Sequence, residues 1–309
     1  MQDTDISWQV LRQVVHDWAG ADAELAEVKR LDGGCVAATM ALHTSRGDRA
    51  VLKLTQHRVD RAYADEAHQL GLLRAAGLPT PAVYRCETGT LDRPFSYLLM
   101  EHCEGVDLAR AKAACPPEAY DALQVELAGL VQKLHATTHE RYHRVTAGEP
   151  EHFDSWPKLY RTVYDPIWHE AERNGHLPPK CRKFIGKVHE RLPALIGHDD
   201  CPRLLHGDLW SSNVLARPDA DGRWHVSAVL DPYCKFGHAE SELAYLELFH
   251  TVNGAFLRAY QGDRRLPNDY HRVRKPVYQL YEMLNHLQLF GPEYLKPTLA
   301  AAERLSHVV

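Results

Sequence analysis

The chain has 309 residues, 45% of them apolar and 25% charged, with a formal net charge of −5. That length suits one large globular unit or two closely joined ones. Without a basic excess, neither a nucleic acid nor a membrane surface is expected as partner, and no apolar run approaches the roughly 20 residues needed to span a bilayer. Seven cysteines, at 35, 86, 103, 115, 181, 201 and 234, include no Cys-x-x-Cys pair. An odd, scattered set predicts free thiols in a reducing compartment. The opening Met-Gln-Asp-Thr-Asp carries neither a basic nor an apolar stretch, so no signal peptide and a cytoplasmic location are expected.

Leu11, Val14, Val15 and Trp18 recur at helical spacing, with Gly20 as a stop signal. Short β-type runs follow at Val28–Leu31, Val36–Leu42 and Ala50–Leu54, punctuated by Asp32-Gly33-Gly34 and Arg46-Gly47-Asp48. A helix is predicted from Val59 to Ala76, and Tyr97–Met100 reads as a buried strand. After Gly105, long helical patterns dominate: Tyr120–His135, Trp156–Asn174, Cys181–Leu195, Ala239–Tyr260 and Tyr270–Phe290. A β-rich stretch interrupts them at Leu204–Leu215 and Trp224–Leu230, with a hairpin turn at residues 218–222. The expected architecture is α+β and bilobal. Residues 1–102 form a small β-rich nucleotide-binding lobe, and residues 103–309 a larger helical lobe for catalysis and acceptor binding.

The chemistry concentrates in Leu204-Leu205-His206-Gly207-Asp208-Leu209-Trp210-Ser211-Ser212-Asn213-Val214-Leu215. Apolar pairs flank a polar loop containing His-x-Asp-x-x-x-x-Asn, and Asp231 ends an apolar run further on. Phosphoryl transfer needs a carboxylate to accept a hydroxyl proton, and oxygen ligands to hold magnesium on a triphosphate. Asp208 is the expected base, with Asn213 and Asp231 as metal ligands. Any one of these residues alone would read as a turn residue; the ordered set is far more specific.

Lys53, within Val51-Leu52-Lys53-Leu54, matches a strand lysine that holds nucleotide phosphates. Glu66 shares a helical stripe with Ala62, Leu70 and Leu73, which turns it inward and calls for a cation; Lys53 is the natural partner, and Asp65 lies one residue off that stripe. Gly33 and Gly34 would form the loop over the phosphates, although a plain hairpin explains two glycines equally well. Tyr97–His102 would lead into a hinge where backbone groups of Glu101 and Cys103 meet the adenine edge.

These residues resemble the aminoglycoside phosphotransferase-like kinases, and within them the fructosamine (ketosamine) kinase family. His206-Gly207-Asp208-Leu209-Trp210-Ser211-Ser212-Asn213 is similar to that family's His-Gly-Asp-Leu-Trp-Ser-Gly-Asn. Asp231-Pro232, Gly237-His238 and Leu246-Glu247-Leu248-Phe249 resemble its Asp-Pro…Gly…Leu-Ala-Met-Leu-Glu-Leu-Phe tail, and Asp154-Ser155-Trp156 its Trp-initiated helix. The resemblance implies a protein-kinase-like fold, ATP, magnesium and a ketosamine acceptor phosphorylated on a sugar hydroxyl. Trp210 would stack on the acceptor or pack against its neighbours, and an acidic cleft of Asp208 with Glu240 would attract a protonated amine. Three departures stand out: Ser212 replaces a glycine, Glu242 replaces an aspartate that braces the catalytic loop, and the segment between His135 and Trp156 is short.

Two rival functions are a kinase for another small hydroxylated amine or sugar, such as an aminoglycoside, and a nucleotide-binding pseudokinase serving as an interaction module. The intact Asp208, Asn213 and Asp231 set argues against the second. His135, His139 and His143 fall at i, i+4 and i+8 and are expected to be an exposed polar helix end rather than a zinc site. Arg264-Arg265 and Arg272, Arg274 and Lys275 read as a solvated surface.

Overall fold

The structure is a computed structural model and describes residues 7–31, 38–56, 61–90 and 95–308. Ser7 caps the first helix, α1 (Trp8–Ala19), by accepting the Gln9 amide; Gly20 ends it at φ 97°. Five strands follow, interrupted by one helix: β1 (Leu25–Arg30), β2 (Ala38–Thr44), β3 (Arg49–Gln56), α2 (Ala62–Ala75), β4 (Val83–Glu87) and β5 (Phe95–Glu101). They form one antiparallel sheet in the order β1-β2-β3-β5-β4.

Side-chain alternation decides what each face of this sheet meets. Tyr97 and Leu99 join Leu42, Leu52 and Leu54 against Leu11, Val14 and Val15 of α1. Leu98 and Met100 pack on Tyr63 and Leu70 of α2. With both faces covered, β5 is buried at every interior position and reads as a continuous apolar run. The same alternation turns Lys53 away from α1 and toward α2, opposite Leu98 in the register.

The rest of the chain comprises β6 (Val106–Asp107), α3 (Leu108–Ala114), α4 (Pro117–Ala136), β7 (His143–Arg144), α5 (Trp156–Arg173), α6 (Pro179–Glu190), α7 (Leu192–Ile196), β8 (Arg203–Leu205), β9 (Val214–Pro218), β10 (Trp224–Val229), β11 (Lys235–Gly237), α8 (Ala239–Leu248), α9 (Gly254–Gln261), α10 (Lys275–Phe290) and α11 (Leu295–Glu303). Two three-stranded sheets, β10-β9-β6 and β7-β11-β8, lie among the helices. A large apolar core joins α4, α5, α8 and α10. Leu73 and Leu78 belong to that core, so the end of α2 is packed against the helical part. Each fully buried Leu contributes about 1.5–3 kcal/mol, which makes this seam a stabilising joint.

Three predicted helices are interrupted, each for a local reason. The one expected over Cys181–Leu195 divides at Arg191, because Pro193 cannot donate to the His189 carbonyl, which Arg161 takes at 3.0 Å instead. The one expected over Ala239–Tyr260 stops at Leu248 and restarts after Asn253, whose side chain caps the amides of Ala255 and Phe256. The one expected to begin at Tyr270 opens as a π turn, Tyr270–Arg274, ahead of Pro276, with the Arg272 carbonyl left to His307. Arg274 and Lys275 do not form a solvated surface: Arg274 is buried against Glu240, and Lys275 pairs with Glu247.

Among the described residues, Cys86, Cys103, Cys115, Cys181, Cys201 and Cys234 are free thiols, and no helix is long and apolar enough to cross a membrane.

Candidate active site

The apolar residues that flank the polar loop anchor it. Leu204, Leu205, Leu209 and Val214 are buried, so the loop from His206 to Asn213 is pinned at both ends and in the middle. Gly207 takes φ 82°, and a Cβ there would lie 2.2 Å from the Tyr233 carbonyl oxygen, so only glycine lets the loop approach the turn after Asp231 this closely. His206 stitches the two segments together. Its Nε2 donates to the Leu230 carbonyl at 3.0 Å and its Nδ1 accepts the Asp208 amide at 3.3 Å, a pattern that fits one neutral tautomer. Burial keeps this imidazole below its usual pKa, which favours that neutral form. The Leu230 amide donates to the Asn213 carbonyl, and Tyr233 donates to that of His206.

Glu242 braces the loop from beneath. Its carboxylate accepts the Gly207 amide at 2.7 Å and the His206 amide at 3.2 Å, and lies 3.0 Å from His135 Nε2. Burial by itself would raise this carboxyl, but the His135 bond and the neighbouring imidazoles and amide outweigh it and hold it below the ordinary range. The extra methylene relative to aspartate does not break the brace; Glu242 reaches both amides. His135 is therefore no exposed helix end. It is buried on the last turn of α4, which stops at Ala136.

Asp208 sits at the mouth of this assembly. The Tyr245 hydroxyl donates to its Oδ1 at 2.5 Å, and Asn213 Nδ2 donates to its Oδ2 at 3.1 Å and to its carbonyl at 2.8 Å. Burial pushes the Asp208 carboxyl up to about 6; the Tyr245 and Asn213 bonds oppose this, while the charge of Asp231 adds to it. Because the Asp208 carbonyl can only accept, the Asn213 atom facing it is the amide nitrogen, and Oδ1 remains available as an oxygen ligand.

Across the cleft, Lys53 Nζ bridges Glu66 at 2.6 Å and Asp231 at 2.7 Å. Burial alone would lower the lysine pKa, but the two carboxylates outweigh it and raise it. Asp65 instead caps the Ala147 amide at 2.7 Å. Asp231 adopts φ 53°, a left-handed conformation that Asp tolerates better than most residues. Glu101 closes β5, its amide donating to the Ala82 carbonyl at 2.8 Å, and Cys103 follows two residues on. Gly33 and Gly34 lie outside the described residues.

Trp210 is 41% exposed beside Asp208 in the loop. Glu240 is not an open charge: it is buried, and both oxygens engage Arg274. A different carboxylate stands near Asp208. Beyond Gly207 and Tyr245 lies a cavity walled by Trp156, Tyr160, Tyr164, Lys235 and Glu282. Tyr164 donates to Glu282, and burial raises the Glu282 carboxyl while lowering the Lys235 ammonium. Sequence reasoning missed Tyr245, His135 and Glu282. The first shares α8 with Glu242 at i+3, a spacing that puts both on one helix face.

The model of the family described as "Fructosamine kinase" matches residues 7–307. The chain is 27% identical over 306 residues to YniA of Escherichia coli (strain K12), named a probable ketoamine kinase, covering 96% of this chain and 99% of that one. A probable ketoamine kinase of Lactiplantibacillus plantarum is 29% identical over 283 residues, 88% of this chain and 91% of that one. A crystal structure assigned as a fructosamine-3-kinase from Thermobifida fusca superposes with a TM-score of 0.77 at 23% identity, covering 98% of this chain and all of that one. The aminoglycoside phosphotransferase APH(4)-Ia, in complex with AMP-PNP and hygromycin B, superposes with a TM-score of 0.67 at 18% identity, over 96% and 99% of the two chains. Those superpositions make the fold protein-kinase-like, and the family match over nearly the whole chain identifies this protein as a small-molecule kinase of the fructosamine kinase family.

Proposed function

We propose that the protein transfers the γ-phosphoryl group of ATP to a sugar hydroxyl of a ketosamine, with residues 1–102 serving the nucleotide and residues 103–309 the catalytic loop and the acceptor. The observation that carries this reading is the convergence of Asp208, Asn213, Asp231 and the Lys53–Glu66 pair on one cleft. Asp208, oriented by Tyr245, accepts the proton of the attacking hydroxyl as that oxygen bonds to the γ-phosphorus and the bond from that phosphorus to the bridging oxygen breaks, releasing ADP. Lys53, fixed by Glu66, meets the α/β-phosphates. Backbone groups of Glu101 and Cys103 receive the adenine edge.

The donor set suits magnesium. Asn213 Oδ1 and the Asp231 carboxylate are hard oxygen ligands, few enough to leave room for phosphate oxygens and water. Magnesium bound there would neutralise charge on the triphosphate.

The cavity behind Asp208 has room for about 30 Å³, a water rather than a sugar, so the acceptor approaches from the open side of the cleft. Glu282, half-buried and hydrogen-bonded by Tyr164, acts on Asp208 from behind and does not replace Glu240 as a contact for the amine. Trp210, exposed at the cleft, supplies an aromatic face that suits the sugar. A coupled ADP-release assay tests the acceptor class on fructose–amine adducts, free sugars, aminoglycosides and choline-like alcohols. The ketosamines should give the highest kcat/KM. A clear preference for another class refutes the acceptor while leaving the kinase standing, and nucleotide binding without turnover on any acceptor favours the pseudokinase.

A further inference from the structure

Away from the cleft, three histidines separated in sequence come together. His139, His143 and His152 each offer a ring nitrogen, and these atoms all lie within 4.8 Å of one another. The backbone frame that gathers them is well tied. The His139 amide donates to the Pro202 carbonyl at 3.0 Å. His143 lies in β7, paired with Phe236 of β11. His152 precedes Phe153, whose amide and carbonyl pair with those of Tyr142 at 2.8 and 3.1 Å. The Phe236 ring lies 5.1 Å from His139 and 4.9 Å from His143, centroid to centroid.

Stacked imidazoles over a phenyl ring can be simple packing. The hydrogen bonds distinguish this cluster. The Arg141 carbonyl oxygen lies 3.1 Å from Nδ1 of both His139 and His143. An Nδ1–H donated to a carbonyl leaves the Nε2 lone pair free for a metal, the usual outer support of a ligating histidine. His139 Nδ1 also faces the Arg141 amide at 3.0 Å, so that ring has two tautomers available, and a metal on Nε2 selects the one that donates to the carbonyl. His143 is buried, so its ring is held in place by the packing around it.

We propose that His139, His143 and His152 bind one zinc ion through their Nε2 atoms, with a fourth position open to water. Zinc favours tetrahedral imidazole sets with Zn–N of about 2.0–2.1 Å, which places ligand nitrogens about 3.4 Å apart. The exposed rings of His139 and His152 close inward on the buried His143 to reach that spacing. The ion ties the two ends of the connection between α4 and α5 to each other, and β7 within it pairs with β11, the strand that follows Asp231. The same connection, through Arg144, Glu149 and Phe153, walls a second cleft together with Glu66 and Tyr233, so zinc would steady a wall next to the catalytic carboxylates.

The test uses the tag-free, chelator-stripped full chain, titrated with zinc by calorimetry and with cobalt as a visible-absorption probe. One equivalent is expected to bind with micromolar or tighter affinity, to give the strong visible bands of a four-coordinate cobalt site and to raise the Tm. His139→Ala and His152→Ala alter exposed side chains and should each weaken zinc binding by about tenfold or more, at least the cost of losing a ligand's outer support. His16→Ala, at a distant exposed histidine, should leave it unchanged. Absence of zinc binding at micromolar concentrations overturns the site, as does binding that both cluster variants leave intact.

Discussion

The Tyr245 hydroxyl donates to Oδ1 of Asp208 at 2.5 Å from 37 residues further along the chain. This bond aims the carboxylate and opposes the upward push that burial and Asp231 exert on its pKa. A base works only when ionised, so kcat/KM should fall as pH drops through about 6, the value to which the Asp208 carboxyl is raised. Tyr245→Phe removes a hydrogen bond to the charged form, which raises the carboxyl further. The acid limb of the kcat/KM profile should therefore move to higher pH in that variant. Superimposable profiles for the two proteins would mean that Tyr245 does not tune the base.

Asp208→Asn keeps the shape of the side chain and an acceptor for Asn213, obliges the Tyr245 hydroxyl to turn from donor to acceptor, and abolishes proton acceptance. It should lower kcat by about 10² or more, the scale of general-base catalysis, with nucleotide affinity nearly unchanged. Steady-state kinetics beside nucleotide titration separates the two. Near wild-type turnover would remove Asp208 from the role of base.

Lys53 is held between two carboxylates, Glu66 and Asp231. Lys53→Met strands both, and Glu66→Gln leaves the ammonium leaning on Asp231 alone. Residues in one ion network couple by about 0.5–3 kcal/mol, so the losses in kcat/KM should be strongly non-additive in the double variant. Simple addition of the two single effects would show that the Lys53–Glu66 contact carries no function.

Glu242 is buried and holds two loop amides and His135. Deleting it leaves those donors unsatisfied, and breaking a buried pair of this kind costs about 3–5 kcal/mol. Glu242→Ala should lower the Tm by many degrees and reduce kcat, because the loop that carries Asp208 loses its support. An unchanged melting curve would exclude the bracing role.

The order of the proposed site was legible in the chain. The flanking apolar pairs, the spacing from His206 to Asn213 and the acid at 231 are local patterns, and local patterns survive in a linear string. Glu66 was readable as inward-facing because a helix repeats every 3.6 residues, and the Lys53–Glu66 pair at 2.6 Å follows from that stripe. Lys53 faces α2 because strand side chains alternate, which sequence also specifies.

Other features depend on where distant elements meet. Glu240 has the composition of an open acidic residue, yet Arg274 from another segment neutralises it; no spacing rule links positions 34 residues apart. His135, His139 and His143 share a helical spacing, but α4 ends at Ala136. The chain beyond it turns into sheet pairing, so His135 goes to Glu242 while the other two meet His152. Sequence alone therefore determined the strand and helix periodicities, the polar loop proposed for catalysis and the likeness to a family. Tertiary structure alone decided which carboxylates stay open, what orients Asp208 and which histidines converge, because those outcomes are set by packing between elements rather than by the repeat within one.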